Sequence, residues 1–442
     1  MKKMGKLLLA VTLSAMLLVP GLAMAEEATV GKGDVKTDAP TAAEFGLLNG
    51  DRNGVDAEYL AKSTTRMQAA IISLRLQGKL DEASAYTGKE NFDDANQVGA
   101  SNQAILAYLN SNPQYGWKGD GANHFSPLAP VSSQQLYKVL LEVLGYKSDK
   151  DFAYEDTESF AADKGMNQIS GVSALINNHV STALVESLYG SMSDGQKLFD
   201  KLQKDGIIPA SAKLPERIGM RTDAKLGTVL VDGKGRTLYY FSKDAQNLDA
   251  CQGPCLANWP ILSADQLQIP ASMNPEDFTV VTHAGGAKQW MYKGWPLYTF
   301  AKDKKAGDTL GEGVMGVWFA AKPDYRVMLG SNAELGPYLT DDQGRTLYYF
   351  TKDKPQMSAC EGECLAIWPV YGTIEGSVPS TLNKEDFGAI TRPDGTKQAT
   401  YKGSPLYYFA KDVKHGDTLG QKVKDVWFVI DPSKFNGVPA AK

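Results

Sequence analysis

The strongest constraint on this chain is that part of it is written twice. Tyr239-Tyr240-Phe241-Ser242-Lys243-Asp244 returns as Tyr348-Tyr349-Phe350-Thr351-Lys352-Asp353, 109 positions later. The same offset carries Cys251 to Cys360, Cys255 to Cys364, Trp259 to Trp368, Asp277 to Asp386 and Trp318 to Trp427, with no gap. So long an ungapped match marks a tandem duplication, and both copies must adopt one fold. Within each unit the Tyr-x-Phe-x-x-Asp theme echoes 59 residues on, as Tyr298, Phe300 and Asp303 and again as Tyr407, Phe409 and Asp412. With Tyr239, Phe241 and Asp244, and Tyr348, Phe350 and Asp353, the motif occurs four times.

Tyr-x-Phe alternation after a Leu reads as a strand with large side chains on both faces. Residues 228–231 and 338–340 read as partner strands, joined to the motif strands through tight turns at 233–235 and 342–344. Residues 317–320 and 426–429 read as closing strands. The motif Asp ends its strand and can cap the turn that follows. Each unit is expected to be a small antiparallel β domain.

Four linked patterns recur in order: Gly-x-Thr-Leu-Tyr-x-Phe-x-x-Asp at 235–244, Cys-x-Gly-x-Cys-x-x-x-Trp-Pro at 251–260, Tyr-Lys-Gly-x-Pro-Leu-Tyr at 292–298 and Gly-Asp-x-x-Gly at 307–311. All return 109 residues later. Together, over residues 222–431, they resemble the secreted or lipoprotein repeat family named for its Tyr-x-(Phe/Trp/Tyr)-x-x-Asp motif. That resemblance brings no catalytic activity with it. Many members are lipid-anchored, but no Cys stands here at the expected cleavage site.

Ahead of the repeats the periodicity is helical. Lys2, Lys3 and Lys6 precede an apolar run from 7 to 19, and Ala23-Met24-Ala25 offers a cleavage pattern, so residues 1–25 read as a signal peptide. The run is shorter than the roughly 20 residues that span a bilayer, and no later stretch is apolar enough to do so. Residues 26–41, small and charged, read as a flexible leader. In the helical region, 42–204, Thr64 or Thr65 can cap a helix carrying Met67, Ala70, Ile71 and Leu74. Ser132 or Ser133 does the same for Leu136, Val139, Leu140, Val143 and Leu144. Each helix follows a Gly-rich turn, 50–54 and 119–121.

These turn-then-capped helices, with Phe125-Ser126-Pro127 before the second, resemble S-layer homology (SLH) repeats. In that family an Arg at the helix opening lies at the grooves that grip cell-wall polysaccharide. Arg66 alone keeps it; Ser133 and Thr182 stand at the corresponding places of the second copy and of a faint third, residues 160–189. Residues 205–221, with Gly206, Pro209 and Pro215, read as a linker, followed by repeat units at 222–330 and 331–442.

The formal charge is −5, and −8 once the three signal-peptide lysines are subtracted. A basic face for nucleic acid is therefore not expected. All four cysteines lie in the repeats. An i,i+4 spacing puts Cα atoms near 6 Å apart on a helical turn, which favours the local disulfides Cys251–Cys255 and Cys360–Cys364 over a shared four-thiolate metal site, a redox dithiol or pairing between units. No basic residue stands beside either pair in sequence to activate a thiol. Trp290 and Trp295 become Ala399 and Ser404 in the second unit. Since core positions tolerate such swaps poorly, the two indoles are the expected exposed patch.

No nucleophile elbow, phosphate loop or metal-ligand spacing is present, and no cofactor or metal is expected. The chain is thus expected to be an α+β multidomain protein, an all-α SLH-like domain followed by two β-rich repeats. Its expected place is the cell surface, as a non-enzymatic protein whose partners are wall polysaccharide or other envelope components. The alternatives are an extracytoplasmic thiol/disulfide redox protein and a carbohydrate-binding module using Trp290 and Trp295.

Overall fold

The computed structural model describes residues 28–438; the expected signal peptide lies outside them. Among the described residues nine α-helices occupy the first half: α1 (Asp38–Glu44), α2 (Ala57–Ala61), α3 (Arg66–Leu76), α4 (Leu80–Ser84), α5 (Ala100–Ser111), α6 (Ser133–Val143), α7 (Thr157–Asp163), α8 (Asn177–Tyr189) and α9 (Leu198–Lys204). Thr65 and Ser132 cap α3 and α6 with complete capping boxes, in which Gln68 and Gln135 return to the cap N–H groups. Among the described residues no helix is long and apolar enough to cross a membrane.

The segments entering α3, α6 and α8 close a ring of main-chain hydrogen bonds. Thr64 N–H donates to Leu175 O, Leu175 N–H to Val131 O, and Val131 N–H to Thr64 O, at 2.9–3.1 Å. A second ring runs alongside it, from Arg66 N–H to Ala129 O, Ser133 N–H to Val172 O and Asn177 N–H to Lys62 O. The helical region therefore has an approximate three-fold axis. It makes Arg66, Ser133 and Asn177 equivalent, so the third helix opens at Asn177 and the alignment on Thr182 is corrected. The residue before Asn177 is Ile176, whose side chain has no oxygen with which to mark a cap.

The repeats are built from short strands. In the first, β3 (Glu216–Asp223) pairs with β4 (Gly227–Asp232), and β5 (Tyr239–Phe241) with β10 (Trp318–Ala320). Strands β7 (Phe278–Thr282), β8 (Lys288–Tyr292) and β9 (Trp295–Pro296) form a meander, and β6 (Gln266–Gln268) lies parallel to β3. The second repeats this with β11 (Val327–Asn332), β12 (Gly336–Asp341), β13 (Tyr348–Phe350), β14 (Phe387–Thr391), β15 (Lys397–Tyr401), β16 (Ser404–Pro405) and β17 (Trp427–Val429). Strands β3 and β11 reach back before the expected boundaries, so the linker ends at Pro215 and the second unit opens before residue 331. Tyr298 and Tyr407 lie outside the strands and join them by isolated bridges, Tyr298 to Tyr239 and Ile261, and Tyr407 to Tyr348 and Val370.

The expected flexible leader is instead a strap on the first repeat. Strand β1 (Thr29–Lys32) adds antiparallel to β7, and β2 (Asp34–Lys36) lies parallel to β6. All four β1 residues are exposed. Main-chain pairing needs no apolar side chains, and composition therefore missed it. Because β2 and β3 both pair with β6, the helical domain is an insertion between two strands of one sheet. Polar contacts seal the junction. Buried Asp38 accepts from Thr182 and Gln268 at 2.9 Å each, and Glu186 holds Arg217 at 3.2 Å and the Tyr137 phenol at 2.7 Å.

Trp290 and Trp295 are not an exposed patch: each is 1 % exposed. Trp290 donates to Ala264 O at 3.0 Å and fills the space beside Gly33 of the strap, where a Cβ would fall 2.1 Å from the indole. Trp295 packs at 5.0 Å from Tyr240 and 4.5 Å from His415 of the second repeat. The second unit has neither neighbour. There Ala399 and Ser404 suffice, Ser404 accepts from Val438 N–H, and Phe435 covers Tyr349 at 4.6 Å. The swap reports neighbours outside the unit, not solvent. Trp295→Ala should therefore destabilise the repeat pair by about 3–5 kcal/mol, read by chemical denaturation, whereas a surface indole would cost almost nothing.

Candidate functional site

Each repeat is organised by reciprocal contacts between its two motifs. Tyr239 and Tyr298 exchange main-chain hydrogen bonds at 2.8 and 2.9 Å, as Tyr348 and Tyr407 do at 2.8 and 3.0 Å. The Tyr239 phenol donates to Asp303 at 2.7 Å, and that of Tyr298 to Asp244 at 2.9 Å. Tyr348 and Tyr407 donate to Asp412 and Asp353 at 2.6 and 2.9 Å. Each motif thus supplies the acid for the other's tyrosine. Three of the four acids also hold the loop that follows them: Asp303, Asp353 and Asp412 accept Leu310, Ala359 and Leu419 N–H.

Between the motifs four rings stack in the order Phe241, Trp318, Trp259, Phe300. Their centroids are separated by 4.1, 3.8 and 4.2 Å. Phe350, Trp427, Trp368 and Phe409 repeat the stack at 4.2, 3.8 and 4.4 Å. All twelve motif residues face this interior or its rim, where they build structure.

Both disulfides form, Cys251–Cys255 and Cys360–Cys364, with Cα atoms 5.3 and 5.4 Å apart. In the second half of each unit their places are taken by Leu310 and Val314, and by Leu419 and Val423. The fold does bring a cation to one pair. Arg392 donates to Cys360 O at 2.6 Å and to Ser358 and Gln398, while the equivalent His283 of the first unit bonds Asp249 and Gln289. Sequence neighbours gave no sign of either contact.

A cleft of about 530 Å³ lies in the helical domain, lined by Arg66, Trp117, Lys118, Asp120, His124 and Tyr154 among others. Arg66 opens α3, and its guanidinium lies 5.0 Å from the Phe125 ring and 5.5 Å from Trp117. Its Nε donates to Phe125 O at 2.8 Å and Nη2 to Lys118 O at 3.4 Å, so the fork is held in place. Asp94 fixes the facing loop by accepting Phe125 and Ser126 N–H. Burial draws Arg66 below its ordinary pKa. At the related positions no cation remains: Ser133 donates to Glu158, and Asn177 is engaged by Thr64 and Tyr59.

The architecture is that of a repeat protein, and duplicated β units each pinned by a local disulfide fit an extracellular setting. Four stretches, residues 220–263, 279–322, 331–371 and 388–431, match the family model described as a secreted repeat of unknown function. The family's unit is therefore the half-repeat related by the Tyr–Asp exchange, and the two units of the sequence reading contain four. No curated protein matches the chain.

Asp353 and Asp412 are pushed by burial up to about 6, against the pull of their tyrosines and backbone donors. Between the ordinary 3.8 and about 6 the folded chain holds protons that the unfolded chain has released. Their stabilisation is full below the lower value and is lost as pH rises through the upper one. Tyr407→Phe removes a contact that favours the charged acid. The Tm gap between wild type and this variant should widen from pH 4 to pH 8, monitored by tryptophan fluorescence.

Proposed function

We propose that the protein is a non-catalytic component of the cell surface. The Arg66 cleft grips wall polysaccharide, and the repeats serve as a rigid structural or interaction module. One observation carries this reading. Of three positions related by the helical pseudo-symmetry, a single one presents a cation, held over two aromatic rings and opening into a cleft of glycan size. Sugars stack on such rings, and anionic substituents suit the guanidinium fork. The ring of main-chain bonds supports the likeness to SLH domains, and the disulfides and secreted-repeat matches fit an extracellular setting.

The test uses the full chain, because separating the halves would break the sheet that contains β2, β6 and β3. Arg66→Ala should weaken sedimentation with purified cell walls roughly ten- to hundredfold, the worth of a charge-assisted contact, with Arg66→Lys intermediate. Unchanged sedimentation of Arg66→Ala would end the wall-binding reading.

A second reading, thiol–disulfide exchange, rests on Arg392 beside Cys360, since a neighbouring cation favours the thiolate. It expects Cys360–Cys364 to be reduced faster than Cys251–Cys255, and Arg392→Gln to equalise the two rates in mass-resolved thiol trapping. Equal rates in the wild type would remove it.

A further inference from the structure

Strand β14 ends its sheet: the order is β14-β15-β16, and among the described residues nothing pairs with its outer edge. The equivalent strand of the first repeat, β7, is covered there by β1, with Gly31 opposite Val280. Position 280 corresponds to Ala389 by the 109-residue offset. The uncovered strand is also the more exposed: Gly388, Ala389 and Thr391 face solvent, whereas Phe278 and Val281 of β7 are buried.

The direction of the free groups can be read from the ladder. Ala399, opposite Ala389, gives its N–H to Tyr371 and its carbonyl to Leu406 N–H, both away from β14. Residues 389 and 399 thus form a wide pair, and the N–H and C=O of Ala389 point outward. Strand edges of this kind are usually blunted by a charge, a proline or a bulge. Phe387-Gly388-Ala389-Ile390-Thr391 contains no charge and no proline.

We propose that β14 is a self-association edge, pairing antiparallel with β14 of a second copy about a two-fold axis at Ala389. The register is the one in which β1 already meets β7, with residue 389 taking the place of both partners in the Gly31–Val280 pair. Phe387 then lies opposite Thr391, and Gly388 opposite Ile390. The exposed Lys384 of each copy runs toward the exposed Asp394 of the other, so unlike charges meet at both ends. A closed two-fold contact of this kind joins the β14-β15-β16 sheets of the two copies into one continuous sheet and terminates there. The area is small, so dimers are expected to accumulate at high local concentration, as on a surface.

The full chain should show a concentration-dependent dimer in sedimentation velocity. Ala389→Pro removes one outward N–H and leaves the β14–β15 ladder intact; it should abolish the dimer with an unchanged melting curve. Ala389→Cys should cross-link to itself under mild oxidation, because the axis brings the two positions together. Thr391→Cys faces Phe387 and should not. A chain monomeric at millimolar concentration, a dimer that survives Ala389→Pro, or equal cross-linking of both cysteine variants would each overturn the proposal. So would a β14 edge that remains monomeric yet captures an unrelated extended peptide.

Discussion

Two indole rings 3.8 Å apart stand at the centre of each repeat, and the rest of the unit is arranged to keep them there. A phenylalanine from each motif closes the stack on either side. The tyrosines meet the same indoles edge-on, at 5.1–5.4 Å. Their phenols could not be left unpaired in such an interior, because an orphaned hydroxyl carries its full desolvation cost. The motif acids answer that need, and each comes from the opposite half. A unit of roughly one hundred residues with few aliphatic side chains thereby gains a dense core with fixed ring geometry. The disulfide adds little loop entropy at this spacing; it holds a short helix, Pro254–Asn258 or Glu363–Ile367, that delivers Trp259 or Trp368 into the stack.

The helical domain reaches closure by other means. Helices α3, α6 and α8 are joined at their N-termini by two cycles of backbone hydrogen bonds, which require only that three segments arrive in the same conformation. Side chains at these positions are consequently free to differ. Thr65, Ser132 and Ile176 precede the helices with very different capping ability, and Arg66, Ser133 and Asn177 follow them with different chemistry. Symmetric support with asymmetric chemistry is how one cleft came to carry a guanidinium while the other two positions are satisfied internally.

What was legible in the sequence was what is local or repeated. The offset of 109, the four motifs, the paired cysteines and the capping boxes at Thr65 and Ser132 all depend on residues close in sequence or on exact recurrence. The partners of the motif acids were not legible, because the tyrosines lie 54 and 64 residues away. Trp290 and Trp295 were misread because a difference between copies was assigned to solvent. The difference came from a strap and a neighbouring repeat that only one copy possesses. The strap itself carries no pattern that composition can register, since its bonds are those of the backbone. Arg66 was found by resemblance, but its aromatic seat joins α3 to residues some fifty and sixty positions onward, a contact that only the fold supplies.

The insertion of the helical domain between β2 and β3 has a mechanical meaning. Residues 37–215 leave one sheet and return to it through strands on the two sides of β6, so the domain hangs from a pair of adjacent points. Under the wall-binding proposal, a tug delivered at Arg66 is divided across both strands and the ion pair of Arg217 with Glu186. There is no single tether to act as a hinge, and tilting of one body against the other is resisted from two sides. Such a join suits a molecule whose two parts must keep a set orientation while one of them is under load.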